Sequence, residues 1–83
     1  MDPVTLYNLL AAQPFQPVRI YLKDGRSYDI RFRQLAVVGA TWLDIGLPAP
    51  GETQPICDAV VTVRLEQIDR VERLPASEAA VSQ

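Results

Sequence analysis

The segment VRIYLKDGRSYDIRF, residues 18–32, restricts the fold of this chain more than any other stretch. Apolar and polar residues alternate on both sides of Lys23-Asp24-Gly25, and this period of two is typical of half-buried strands. A two-residue Asp-Gly loop would place Ile20 opposite Asp29, whereas a three-residue loop places Ile20 opposite Tyr28 and keeps one face apolar. We therefore predict a β-hairpin with a three-residue loop whose glycine is left-handed.

A short helix is predicted before the hairpin. Asp2 can accept a hydrogen bond from a free backbone N–H, and Pro3 suits the first helical position because proline has no N–H to leave unpaired. Leucines at positions 6, 9 and 10 then form one apolar stripe. Pro14 and Pro17 disfavour helix in the residues before them, so the helix is expected over about residues 3–12.

The second half of the chain predicts two more strands and a short final one. QLAVVGATWLDIGL and ICDAVVTVRL are rich in strand formers, and the loop PAPGETQP separates them. LEQI predicts a single turn before the last strand, DRVERL. The expected domain is mainly β and covers residues 1–74, with a small five-stranded bent barrel over about residues 17–74 and a mobile tail at 75–83.

The hairpin segment VRIYLKDGRSYDIRF resembles the first signature segment of Sm-like proteins. Sm-like proteins begin with an alternating apolar strand that reaches an Asp-Gly or Asn-Gly turn and resumes with an aromatic residue three positions after the glycine. VTVRLEQIDRV lies where their second signature segment would lie, and PFQPVRIYLKDGRSYDI also resembles a group of short bacterial proteins over about residues 3–74. The resemblance implies an Sm-like barrel with an N-terminal helix. The residues that match the first signature are Val18, Ile20, Leu22, Asp24, Gly25 and Tyr28.

RNA binding is the alternative function that this resemblance implies. A basic face with one aromatic platform suits single-stranded nucleic acid, and the competing interpretation is a solvated strand face on which Arg19 is paired with Asp29. Ile30 replaces the glycine that is usual in Sm-like proteins, RQLAVVG has no counterpart to their base-binding loop, and the net charge is −2. We therefore treat RNA binding as the second functional hypothesis, after a self-assembling binding or scaffold module. Its candidate residues are Arg19, Tyr21, Arg31 and Arg33.

The composition argues against an enzyme. The chain has no histidine, and its single cysteine, Cys57, lies in a strand pattern where we predict it to be buried and inert. Asp44 and Asp58 occupy outward strand positions, where isolated carboxylates are solvated more often than they form a catalytic pair. We predict no catalytic residue, no metal site and no cofactor.

The N-terminal region predicts a cytoplasmic protein. MDPVTLYNLLAAQ carries an acid where a secretory signal would carry basic residues, and no apolar run reaches the ~18–20 residues that a membrane span needs. A single cysteine cannot close an internal disulfide, which agrees with a reducing compartment.

Self-association is the main functional expectation. A chain of 83 residues buries only ~60% of the surface that its unfolded form exposes, so help from a neighbouring subunit is expected. We predict a homo-oligomer, as a ring in which the penultimate strand of one subunit pairs with the final strand of the next, serving as a non-enzymatic binding or scaffold module with a protein partner. The candidate interface residues are Trp42, Val60, Val61, Val63 and Val71.

Overall fold

The computed structural model describes residues 1–75 of the chain, with one helix and six strands. Short 3-10 turns at Arg33–Leu35 and Leu65–Gln67 precede the third and the sixth strand. Apart from Pro75, the predicted mobile tail lies outside the described residues. The elements are α1 (Pro3–Leu10), β1 (Val18–Leu22), β2 (Ser27–Ile30), β3 (Ala36–Val38), β4 (Trp42–Pro48), β5 (Cys57–Arg64) and β6 (Ile68–Arg73).

The strands form two antiparallel sheets of three, in the orders β2-β1-β6 and β3-β4-β5. The expectation of a mainly β chain with one short N-terminal helix is confirmed. The five-stranded barrel is not confirmed, because six strands form and neither sheet closes on itself. The additional strand results from a turn at Ala40-Thr41, which divides the predicted strand QLAVVGATWLDIGL into the hairpin of β3 and β4. The Gly39 N–H donates to the Trp42 carbonyl at 2.8 Å across this turn.

The first hairpin has the predicted register. Val18 is opposite Ile30 and Ile20 is opposite Tyr28, so the apolar residues of both strands share one face. The Leu22 N–H donates to the Arg26 carbonyl at 2.8 Å, and the three residues between them form the loop. Gly25 has a φ of 95°, as the three-residue loop requires.

Gly25 gives the first testable prediction. A Cβ added at this exposed glycine would meet no atom within 4 Å, so a side chain there is opposed by backbone conformation alone. We expect Gly25→Val to lower the free energy of unfolding by about 1–2 kcal/mol, as measured by urea denaturation. Gly25→Asn is the matched control, because asparagine tolerates a left-handed backbone better than valine does. An equal loss in both variants would contradict this account of the loop.

The core lies between the two sheets and the helix. Asp2 begins α1 by accepting hydrogen bonds from the Thr5 N–H at 2.8 Å and the Thr5 hydroxyl at 3.0 Å, and these bonds hold the pKa of its carboxyl below the usual value. The helix ends at Leu10, two residues earlier than predicted. Within residues 1–75 no helix combines the length and hydropathy of a membrane span. The most deeply buried side chains are Leu6, Leu10, Val18, Ile20, Ile30, Leu43 and Ile45.

Candidate functional site

The outer edge of β5 is a long strand edge with an exposed apolar side chain, Val60. The Leu65 N–H donates to the Thr41 carbonyl at 3.0 Å, and the alternation of antiparallel pairing then directs the peptide groups of Val61 and Val63 towards β4. The peptide groups of Val60 and Thr62 point away from β4, towards an edge where the sheet ends. Long apolar edges of this kind pair with other chains unless they are blocked.

Charge and proline, the usual means of blocking an edge, are distributed unequally between β5 and β6, which are outer strands of the two sheets. β5 contains neither lysine nor proline, its charged residues are Asp58 and Arg64 near its two ends, and its central residues are AVVTV. β6 carries Asp69, Arg70, Glu72 and Arg73 in a strand of six residues. Of these two strands, β5 therefore has the less protected edge.

The predicted interface residues lie in different environments. Val60 is 63% exposed and Trp42 is 38% exposed, whereas Val61 and Val71 are half-buried. Val63 is only 5% exposed because it faces the core of its own chain, so its side chain has little surface left for a neighbouring subunit. This corrects the prediction for Val63: strand alternation turns it inwards, where its apolar contacts are internal.

The Trp42 ring lies against the backbone of Gly39. A Cβ added to Gly39 would stand 2.1 Å from Cε2 of the ring, much closer than any real contact. Beside this glycine, Ala40 lines a shallow depression with Val4 and Tyr7 of the helix, both of which are exposed. The indole is therefore held on the surface, at one end of the β3-β4 hairpin.

Replacing Gly39 should displace that ring. In Gly39→Ala we expect the indole to move into solvent while the fold persists, because the ring is already 38% exposed. Trp42 is the only tryptophan, so its emission should shift to longer wavelength with an unchanged far-ultraviolet circular dichroism spectrum. Ala40→Ser, at the neighbouring exposed position, is the control. Identical emission from Gly39→Ala and the wild type would contradict this packing.

The arginines of the predicted basic face have different partners in the structure. Arg19 donates to Asp29 through Nε at 2.7 Å and Nη2 at 3.1 Å, and Arg31 reaches the same carboxylate at 3.4 Å. Arg33 instead donates to the Ala36 carbonyl at 3.2 Å, in the turn that follows β2. The predicted pairing of Arg19 with Asp29 is therefore confirmed, and Arg33 is directed to other partners.

Tyr21, the predicted aromatic platform, is covered by an arginine. The Arg70 guanidinium lies 3.9 Å from the centre of the Tyr21 ring. Arg70 also donates to Glu72 at 2.7 Å and to Asp69 at 3.1 Å. These contacts raise the pKa of the Arg70 guanidinium, with the Glu72 hydrogen bond as the largest cause. The outer face of the first sheet thus combines positive and negative groups in close pairs.

Cys57 is exposed, so the prediction that it is buried was wrong. Ala59, on the same face as Val61 and Val63, is exposed as well, so the first residues of β5 extend beyond the core. Among the other residues considered for catalysis, Asp44 accepts a hydrogen bond from the Thr62 hydroxyl across the two strands, and Asp58 is exposed. Within residues 1–75 no three potential metal ligands come together.

Exposure of Cys57 has a measurable consequence. We expect a thiol reagent to label the native protein at a rate near that of the urea-unfolded chain, because no layer of side chains covers Cys57. Labelling that requires unfolding would contradict the structure. If the wild type is protected but a monomeric edge variant such as Thr62→Pro is labelled, the protection comes from a neighbouring subunit.

A groove between the two sheets was not predicted from the sequence. It has a volume of about 500 Å³ and lies between β2 and the chain that follows β4. No local sequence pattern indicates the groove, because its two walls come from segments about 20 residues apart. The loop PAPGETQP, which forms part of one wall, was the only sequence feature that pointed to this region. Its charged lining residues are two cations and two anions, namely Arg19, Arg31, Asp29 and Glu52.

Comparisons with known proteins identify no relative: no family model, no curated protein and no solved structure matches the chain.

Proposed function

We propose that this chain is a non-enzymatic, self-assembling module that acts as a binding or scaffold protein. The observation that carries the proposal is the edge of β5, where eight residues without lysine or proline end the second sheet. The exposed side chain of Val60 adds apolar surface beside the outward peptide groups. A second copy of the chain supplies both the backbone partners and the apolar contact that this edge lacks.

The strand order supports an Sm-like arrangement. β2 ends at Ile30 and β3 begins at Ala36, with a 3-10 turn between them, so the two can be treated as one bent strand that takes part in both sheets. The order then becomes β6, β1, β2 with β3, β4, β5, which is that of a five-stranded open barrel with β5 and β6 at its two ends. We propose that this chain has the Sm-like fold implied by its hairpin signature.

The two end strands suggest how subunits join. β5 of one subunit would pair with β6 of the next, a heterologous contact that repeats until the rotation closes into a ring. The charged residues of β6 protect it from pairing with another β6, whereas the central residues of β5, AVVTV, carry no charge. Pairing of β5 with β6 therefore gives the outward peptide groups of β5 hydrogen-bond partners, and it does not place two charged β6 strands side by side.

The ion pairs on the first sheet favour a protein partner over RNA. Both Arg19 and Arg31 donate to Asp29, and Arg70 donates to two carboxylates, so negative groups accompany the arginines on this face. Phosphate binding depends on positive charge that can be directed to the nucleic acid. We propose that the protein does not retain a single-stranded oligonucleotide. Retention that falls steeply with salt would favour the RNA alternative.

Hydrogen exchange at single-amide resolution tests the assembly. The Val60 and Thr62 amides should be protected at high protein concentration and lose protection on dilution, because no strand within residues 1–75 pairs with this side of β5. The Val61 and Val63 amides are the internal control, since they bond to β4 and should stay protected throughout. Fast exchange of Val60 and Thr62 at every concentration would contradict self-pairing through β5.

A further inference from the structure

We propose that this chain has a second self-association surface, formed by α1 and the turn between β3 and β4. A second copy of the chain binds this surface through the same residues, in a two-fold contact with the two α1 helices antiparallel. The surface uses neither β5 nor β6, so the contact does not depend on the proposed assembly. We call it the helix surface, and its residues are Val4, Tyr7, Val38, Gly39, Ala40 and Trp42.

The helix α1 is apolar on two sides. Leu6 and Leu10 are fully buried in the core. Val4 and Tyr7, three residues apart and therefore on one face, are 64% and 51% exposed. A helix on a protein surface normally carries charged residues on the side away from the core, but α1 has none. An exposed apolar stripe of this kind is typical of a helix that packs against a further element.

The turn of the β3-β4 hairpin extends this apolar stripe. Val38, Gly39 and Ala40 line a depression of about 290 Å³ together with the exposed side of α1. The Trp42 ring lies on Gly39 and is 38% exposed. Because β4 is the central strand of its sheet, the predicted interface role of Trp42 fits the helix surface and not a free strand edge.

Charge is absent from the sequence segments that line the depression. Residues 3–17 and 34–43 contain no aspartate, glutamate, lysine or arginine. A surface with aromatic residues and few charges is typical of the centre of a protein interface. Because its lining carries no charge, the helix surface can meet its own copy without like-charge repulsion.

The charges at the two ends of the helix surface indicate the antiparallel orientation. Asp2 precedes α1, and the Arg33 guanidinium lies 5.7 Å from the centre of the Tyr7 ring, in the second turn of the helix. In an antiparallel two-fold contact, Asp2 of each copy approaches the end of the helix where the other copy carries Arg33. A parallel contact would bring like charges together. Asp2 keeps its hydrogen bonds to Thr5, and Arg33 keeps its bond to the Ala36 carbonyl, because the contact requires only that opposite charges approach.

The helix surface is small, so one such contact is weak. We expect a dissociation constant of about 0.1–1 mM, as for weak and transient interfaces. Chains that lack the β5 contact are therefore monomers at micromolar concentration and pair through α1 only when they are more concentrated.

The test uses Thr62→Pro, in which the β5 edge is blocked, labelled with ¹⁵N. Spectra are recorded from about 10 µM to about 1 mM, which brackets the expected dissociation constant. We expect the amides of Val4 and Gly39 and the Trp42 indole N–H to shift with concentration, while the amides of β2 do not. Thr62→Lys, which blocks the same edge by charge, replaces the proline variant if that variant does not fold.

Two exposed valines give a matched pair of further substitutions in this background. Val4→Lys brings a charge into the helix surface and should raise the dissociation constant at least about tenfold, because the lysine faces the apolar surface of the other copy. Val60→Lys makes the same change on β5, at a side chain that is 63% exposed against 64% for Val4, and should leave the constant unchanged. In a mixture of labelled and unlabelled chains, isotope-filtered nuclear Overhauser effects should join Val4 of one copy to Tyr7 of the other.

Three outcomes would overturn the proposal. They are spectra that do not change with concentration, equal effects of Val4→Lys and Val60→Lys on the dissociation constant, and shifts confined to the amides of β5. The mass of the wild-type protein tests assembly through β5 separately, so failure of the helix surface and failure of the proposed function can be distinguished.

Discussion

Thr62→Pro is expected to convert the assembled protein into folded monomers of 9.2 kDa. The Thr62 N–H points away from β4, so proline removes a donor from the free edge and leaves the internal ladder intact. A full ring should lose its pairing at every subunit contact, because each contact uses the same edge. Sedimentation velocity measures the change in mass, and circular dichroism shows whether the monomers are folded.

Two controls separate edge effects from loss of fold. Thr62→Val removes the hydroxyl that donates to Asp44 but keeps the backbone N–H, so it should remain assembled. Val61→Pro removes a donor that bonds to β4 and should unfold the chain. If Thr62→Pro and the wild type sediment alike, the β5 edge does not hold the assembly together.

Leu10→Ala is expected to lower the free energy of unfolding by about 2–5 kcal/mol. Leu10 is fully buried at the end of α1, where it joins the core formed by the two sheets. A small domain has a total stability of only about 5–15 kcal/mol, so this loss removes a large share of the free energy of unfolding. Urea denaturation measures the effect.

Val4→Ala is the matched control on the same helix. Val4 is 64% exposed, and its truncation should change stability by no more than about 0.5 kcal/mol. Similar losses in the two variants would show that α1 does not contribute its buried face to the core.

The hairpin could be predicted because its local pattern permits only one register. A shift by one residue would expose every apolar side chain, so alternation together with the glycine loop was sufficient. The helix start at Asp2-Pro3 and the turn at Leu65–Gln67 were predictable for the same reason: each depends on residues that are close in sequence.

Features that depend on distant segments could not be predicted. Alternation correctly placed Val61 and Val63 on one face, but it gave no sign that the core ends before Ala59 and Cys57 and leaves both exposed. Likewise, Arg33 was assigned to a strand face but lies in a 3-10 turn. The turn at Ala40-Thr41 was missed because it lacks the Asn-Gly or Asp-Gly signal of a two-residue hairpin.

The proposed assembly edge follows from the direction of backbone groups. Sequence alternation indicates which side chains share a face, but only strand order shows which strands have no neighbour on one side. β2, β3, β5 and β6 are such strands, and β5 combines outward peptide groups with the exposed side chain of Val60.

The mass of the wild-type protein in solution tests the central claim most directly. Sedimentation equilibrium at micromolar concentration should give the mass of two or more 9.2 kDa chains, independent of the salt concentration. Assembly by backbone pairing and apolar contact predicts this result, since neither depends strongly on ionic strength. A stable mass of 9.2 kDa across the micromolar range would contradict self-assembly through β5.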